Sequence, residues 1–111
     1  MLRTMEDVQA MMSLNSTTDD MGRHHLTKKG KRYEQFYYLL RLDCPMDTEA
    51  FIDREIERVR ERLRASERQE NEFREDCTSK KQDKEKMAAL EKRTAELRED
   101  YMLLAWFRNG Q

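Results

Sequence analysis

Residues 52–77 read IDREIERVRERLRASERQENEFREDC. Counting from Ile52, steps of four and three residues alternate between apolar positions, and charged residues fill most of the positions between them. This 4–3 alternation predicts a helix that packs along a narrow coiled-coil seam of about four heptads. Two of its positions, Ser66 and Glu70, are polar. The predicted seam consists of Ile52, Ile56, Val59, Leu63, Ser66, Glu70, Phe73 and Cys77.

A second seam follows, and it is out of phase with the first. Continuing the first count forward lands on lysines at positions 80 and 84. An uninterrupted coiled coil keeps its register or shows a stutter, so the phase break favours a chain that turns near residues 78–82 and forms an antiparallel hairpin. Ser79 with Gln82 offers a capping box for the returning helix. The alternative is one long helix that pairs with another chain. The second seam consists of Met87, Leu90, Thr94, Leu97, Tyr101 and Leu104.

A turn near residue 80 also matches the two seams layer by layer. The small polar residues Ser66 and Thr94 fall opposite each other, which a chance alignment of seams would not require. The same pairing opposes Glu70 to Leu90. Because a carboxylate is almost never fully buried unless it is paired, we expect Glu70 to reach water or a basic residue at the edge of the seam. The other predicted layers are Phe73 with Met87, Leu63 with Leu97, Val59 with Tyr101, and Ile56 with Leu104.

The N-terminal region predicts a short helix, a loop and a basic linker. Thr4 followed by Asp7 resembles a capping box and predicts a helix over residues 4–14. The polar run NSTTDDMG at residues 15–22 is typical of a loop. Residues 23–32 then carry only basic charge, so this segment is expected to be a basic linker.

An aromatic helix is predicted over residues 27–43. Thr27 is suited to cap its N-terminus, and four apolar residues recur at helical spacing within it. The residue before Pro45 is biased out of the helical region, which predicts that the helix ends there. Asp47 or Thr48 is expected to cap the next helix. The apolar stripe consists of Tyr33, Phe36, Tyr37 and Leu40.

These elements predict an all-α fold: an antiparallel coiled-coil helical hairpin over residues 47–111, with one or two short N-terminal helices from residues 1–46 packed at its base. Charged residues make up 41% of the 111-residue chain and hydrophobic residues 37%, which suits a narrow apolar seam better than a large core. The base is wider than a two-helix seam can cover, so we expect the N-terminal helices to cover it. Its apolar residues are Phe51, Ile52, Ile56, Leu97, Tyr101, Met102, Leu103, Leu104, Trp106 and Phe107.

The chain carries no pattern typical of a catalytic, cofactor or metal site. It has no glycine-rich phosphate loop and no nucleophile elbow. His24, His25, Cys44 and Cys77 lack the closely spaced ligand pairs of zinc sites, and a hairpin would separate the two cysteines. We therefore expect a non-enzyme without a cofactor. No secretory signal or membrane-spanning stretch is evident, so an intracellular location, cytoplasmic or nuclear, is expected.

The sequence favours a non-catalytic protein–protein interaction protein, such as a small adaptor, assembly subunit or inhibitor, that acts through helical and coiled-coil surfaces. Its expected partner is another protein, a second copy of itself, or both. The alternative is a nucleic-acid-binding module using the basic and aromatic segment 23–38. The residues expected to bind a protein are Tyr33, Phe36, Tyr37, Leu40, Tyr101, Leu104, Trp106 and Phe107. Those expected to contact nucleic acid in the alternative are Arg23, Lys28, Lys29, Lys31 and Arg32.

Overall fold

A computed structural model describes residues 1–76 and 80–110. The described residues are 79% helical, and the two long helices pack against each other, which confirms the predicted all-α helical hairpin with short N-terminal helices. In the described residues, no helix is both long enough and apolar enough to cross a membrane. The elements are α1 (Met5–Leu14), β1 (Ser16–Thr18), β2 (His24–Leu26), α2 (Lys28–Arg41), α3 (Pro45–Asp76) and α4 (Lys81–Arg108).

The N-termini of α1 and α2 are capped as the sequence predicts. The Thr4 hydroxyl oxygen accepts a hydrogen bond from the Asp7 amide at 3.2 Å. The Thr27 hydroxyl oxygen accepts one from the Gly30 amide at 3.1 Å. Each cap satisfies one of the backbone amides that a helix leaves without an internal partner.

The segment predicted as a loop over residues 15–22 contains a strand, so that prediction is wrong in part. β1 pairs antiparallel with β2, with Thr17 opposite His25. The turn between them is organised by Asp19, whose carboxylate accepts hydrogen bonds from the amides of Met21 at 2.9 Å and Arg23 at 2.8 Å. Because these bonds come from one side chain acting on its own turn, they leave no periodic signal in the sequence.

The junction between α2 and α3 also differs from the sequence prediction. α3 begins at Pro45, ahead of the expected caps Asp47 and Thr48. Proline suits the first position of a helix because the amide that it lacks has no helical partner there. Asp43 takes a positive φ of 52°, which turns the backbone between the two helices. The Thr48 amide then donates to the Cys44 carbonyl at 2.9 Å, closing the first turn of α3.

The structure divides into two compact units, which are residues 1–53 with 103–110, and residues 54–102. In the first unit, α2 lies against the end of α4 through aromatic rings. Phe36 stacks on Phe107 with ring centroids 4.3 Å apart, and Tyr33 meets Trp106 edge-on at 5.4 Å. These contacts confirm that the aromatic helix covers apolar residues near the end of α4, as predicted.

In the second unit, the arms of α3 and α4 form the antiparallel seam. Ser66 and Thr94 are buried, and their hydroxyl oxygens lie 2.7 Å apart, which confirms the predicted polar layer. The Glu70 carboxylate turns to the edge of the seam, where Arg74 donates to it at 2.8 Å. This confirms the expectation that Glu70 reaches a base. Cys77, Ser79 and part of the predicted turn at 78–82 lie outside the described residues.

Candidate protein-interaction surface

Half of the predicted partner-binding residues form the core of the first unit. Tyr33, Phe36, Leu104 and Phe107 are all buried by other residues of the same chain. Phe36 and Phe107 are occupied by each other, since their rings lie almost parallel in contact. In the folded chain these four side chains therefore stabilise the unit and are not available to a partner.

Three further predicted residues are partly exposed and carry an arginine on or near the ring. The Arg3 guanidinium lies 4.9 Å from the centre of the Trp106 ring, and Arg41 lies 5.9 Å from that of Tyr37. In the second unit, Arg60 lies over Tyr101 and donates to its hydroxyl at 3.4 Å. That hydrogen bond raises the pKa of Arg60. These aromatic faces are covered by cations from the same chain. Leu40, the remaining predicted residue, is half-buried.

An accessible apolar surface of the first unit lies on the side of α2 that carries Tyr38. We call it the outer stripe. Tyr38 is 55% exposed and Leu42 is 67% exposed, although both are large apolar side chains. Seven residues line a shallow open groove along this stripe. They are Lys31, Glu34, Gln35, Tyr38, Leu39, Arg41 and Leu42.

Tyr38 and Leu42 are not among the residues that the sequence analysis expects to bind a protein, although a signal was present. The aromatic stripe that faces the core is the more apolar of the two patterns on this helix, so it alone was used to choose contact residues. Read separately, Lys31, Gln35, Tyr38 and Leu42 follow steps of four, three and four residues, which is a short heptad seam on the other side of the same helix.

The basic segment lies at the start of α2 and in β2. Arg23, Lys28 and Lys31 are exposed, while Lys29 is half-buried. Arg32 is also half-buried, and its guanidinium donates to the Gln35 side chain at 2.6 Å. Base stacking by segment 23–38, as the nucleic-acid alternative requires, has less support than the sequence suggests. Two of the four aromatic residues in that segment, Tyr33 and Phe36, lie in the core.

The two histidines lie in the β-hairpin and bond to neighbouring side chains. His25 Nε2 is 2.8 Å from the Asp19 carboxylate, and His24 Nδ1 is 3.2 Å from the Thr18 hydroxyl. The hydrogen bond from His25, followed by that from the Arg23 amide, lowers the pKa of Asp19. Over residues 1–76 and 80–110 no three metal-ligating side chains cluster.

Polar pairs flank the seam of the second unit and link its two helices. Arg93 donates to Gln69 at 3.4 Å on one flank. Arg98 donates to Glu67 at 3.3 Å on the other flank. These pairs are exposed, so each contributes little to stability, but they mark which residues flank each layer of the seam.

Comparisons with protein-family models, curated proteins and solved structures found no match to this chain. The outer stripe of α2 combines exposed apolar side chains with charged residues, and it is the candidate interaction surface.

Proposed function

We propose that this chain is a non-catalytic protein-interaction protein that works through helical surfaces, with the outer stripe of α2 as its contact face. The observation that carries the proposal is the exposure of Tyr38 and Leu42 on one side of a helix whose other side is already committed to the core. A helix that presents apolar residues on a second side exposes surface that burial against a partner would stabilise.

The chemistry of the outer stripe suits a protein partner. Tyrosine and arginine are enriched at protein interfaces, where an aromatic ring supplies area and the guanidinium supplies directed hydrogen bonds. Tyr38 lies at the middle of the stripe, and Glu34 and Arg41 line the same groove along one flank of it. An apolar centre with charged residues along one edge resembles the core and part of the rim of a small interface.

The test uses the full chain as bait in its native source, with bound proteins quantified by mass spectrometry. The variant Tyr38→Gln/Leu42→Gln removes the apolar centre of the outer stripe and keeps good helix formers. The matched control is Leu14→Gln, which changes a residue that is 76% exposed on α1. Circular dichroism checks that both variants fold.

We expect the specific partner, or a second copy of the chain, to be lost from the double variant and retained by the control. Cross-links from Lys31 to that partner should place it beside the stripe. A set of bound proteins that is the same for the wild type and the double variant would refute the outer stripe as the contact face.

A further inference from the structure

The outer stripe has the arrangement of half of a two-helix seam. Lys31, Gln35, Tyr38 and Leu42 fall at alternating steps of four and three residues, so they occupy the central positions of a short heptad pattern. Glu34 directly precedes Gln35, and Arg41 directly precedes Leu42, so both lie on the same flank of the pattern. Leu39 follows Tyr38 on the other flank. Every residue that lines the groove therefore has a place in this pattern.

The hairpin of this same chain shows how the flanks of an antiparallel seam meet. Ser66 faces Thr94 in one layer. The residue three positions after Ser66 is Gln69, and it contacts the residue just before Thr94, Arg93, at 3.4 Å. On the other flank, the residue just after Ser66 is Glu67. It contacts the residue four positions after Thr94, which is Arg98, at 3.3 Å.

The same rule applied to two antiparallel copies of α2 gives a self-complementary interface. When Tyr38 faces Gln35 of a second copy, the residue three positions after Tyr38 is Arg41. It meets the residue just before Gln35, which is Glu34 of the second copy. By symmetry a second Glu34–Arg41 pair forms at the other end.

The remaining residues of the stripe also find partners in this arrangement. Leu39 follows Tyr38, and it also lies four positions after Gln35, so on the second flank it meets Leu39 of the second copy. Leu42 lies over the side chain of Lys31 of the second copy, whose methylene stem can cover it while the ammonium group stays in water.

A parallel pairing of the two helices would be less favourable. In a parallel coiled coil each central residue meets its own equivalent, so Lys31 would face Lys31 of the second copy. Glu34 would then lie opposite Leu39, which offers no ion pair. Charge complementarity therefore selects the antiparallel arrangement, in which both oppositely charged pairs form.

We propose that a second copy of this chain occupies the outer stripe, forming an antiparallel α2–α2 dimer with paired Glu34 and Arg41 residues and a Leu39–Leu39 contact at the dyad. This inference rests on the proposed function and names the partner at that contact face. Because α2 spans only 14 residues, the interface is small, and we expect a weak dimer that dissociates on dilution.

Sedimentation velocity over a range of concentrations tests the pairing through charge reversal. Glu34→Arg and Arg41→Glu each place like charges opposite each other, so each should shift the protein toward monomer. The double variant Glu34→Arg/Arg41→Glu restores opposite charges and should restore the dimer. Arg68→Glu makes the same change of charge at an exposed residue of the second unit and should leave the dimer unchanged.

Cross-linking provides a second measurement that does not depend on charge. In a background without native cysteines, Leu39→Cys should be linked to its own copy by a short bismaleimide, whereas Met21→Cys, exposed in the β-hairpin turn, should not. Circular dichroism confirms that each variant is folded. Rescue by the double charge reversal, together with cross-linking at position 39, would support the proposed dimer.

Two results would overturn the inference. One is a chain that stays monomeric at every concentration, and the other is a dimer that responds to none of the charge reversals. Neither result refutes the proposed function if a different protein is still captured through Tyr38 and Leu42. Loss of that capture as well would refute both.

Discussion

Replacing Thr94 by valine should destabilise the hairpin because the buried Ser66 hydroxyl loses its hydrogen-bond acceptor. Ser66 is 0% exposed and Thr94 is 2% exposed, and their hydroxyl oxygens lie 2.7 Å apart. The Thr94 hydroxyl donates to the Leu90 carbonyl at 3.0 Å. Because a hydroxyl has only one hydrogen to donate, the Ser66 hydroxyl must be the donor in the bond between them.

The magnitude follows from what each substitution leaves behind. Thr94→Val removes the acceptor of the buried Ser66 hydroxyl, and a buried donor that finds no other partner costs about 1–3 kcal/mol. Ser66 can turn to a carbonyl of its own helix, so we expect the lower half of that range. Ser66→Ala leaves Thr94 bonded to Leu90 and should cost only about 0.5–1.5 kcal/mol. The double variant removes both polar groups, so its cost should be below the sum of the single costs.

Urea denaturation followed by circular dichroism measures all four proteins. We expect Thr94→Val to be less stable than Ser66→Ala, and the coupling free energy between the sites to be at least about 0.5 kcal/mol. Single costs that add without coupling would show that the two hydroxyls do not interact. A Thr94→Val variant as stable as the wild type would refute the assignment of Ser66 as an orphaned donor.

Three other predictions concern the first unit. Gly30→Ala should destabilise the fold by about 1–3 kcal/mol, because an added Cβ would lie 2.5 Å from the Asn15 carbonyl oxygen; thermal denaturation measures this. Because the pKa of Asp19 is lowered in the folded chain, its ionised carboxylate stabilises the β-hairpin fully at pH values above the ordinary pKa of 3.8. This stabilisation should be lost as the pH falls through the lowered pKa. NMR of the hairpin amides should show the corresponding transition, and Asp19→Asn should remove it. Fluorescence anisotropy with labelled oligonucleotides at about 50 mM salt should show no binding. Binding that is lost on alanine substitution of the basic residues would instead support the nucleic-acid alternative; those residues are Lys28, Lys29, Lys31 and Arg32.

The hairpin could be predicted from sequence because its burial is periodic. A seam residue such as Val59 is identified by its spacing alone, and the opposed polar residues Ser66 and Thr94 set which layers meet. The Asp19 turn was missed because it depends on side-chain bonds to nearby amides. Such a turn is a local chemical arrangement, and it creates no repeat that a periodicity search can detect.

The candidate contact residues were harder to predict, because spacing shows that a residue is buried but not by what. Phe36 and Phe107 were expected to face a partner, yet each ring is covered by the other. Tyr38 and Leu42 were overlooked because weaker and more polar positions share their side of α2. Only the contacts between helices show which side of α2 is buried in the core.

The paired polar layer also explains how this highly charged hairpin selects one register. If one arm slipped by a heptad, Ser66 would face Met87 in one direction or Tyr101 in the other. The Thr94 hydroxyl would likewise lose Ser66 and face an apolar layer. A slipped hairpin would therefore bury the Ser66 hydroxyl without the partner that it has in the native layer, at a cost of about 1–3 kcal/mol.

The variant Ser66→Ala/Thr94→Val should keep most of its stability but discriminate less against slipped registers. Spin labels at Arg64→Cys and Glu96→Cys, which lie across one layer of the native hairpin, would report the register in a background without native cysteines. A slip of one heptad displaces the labels by about 10 Å along the axis. Double electron–electron resonance spectroscopy should therefore show a single distance between the labels in the wild type and an additional, longer distance in the variant. The same single distance in both proteins would mean that the connection between the arms, and not the Ser66–Thr94 layer, determines the register.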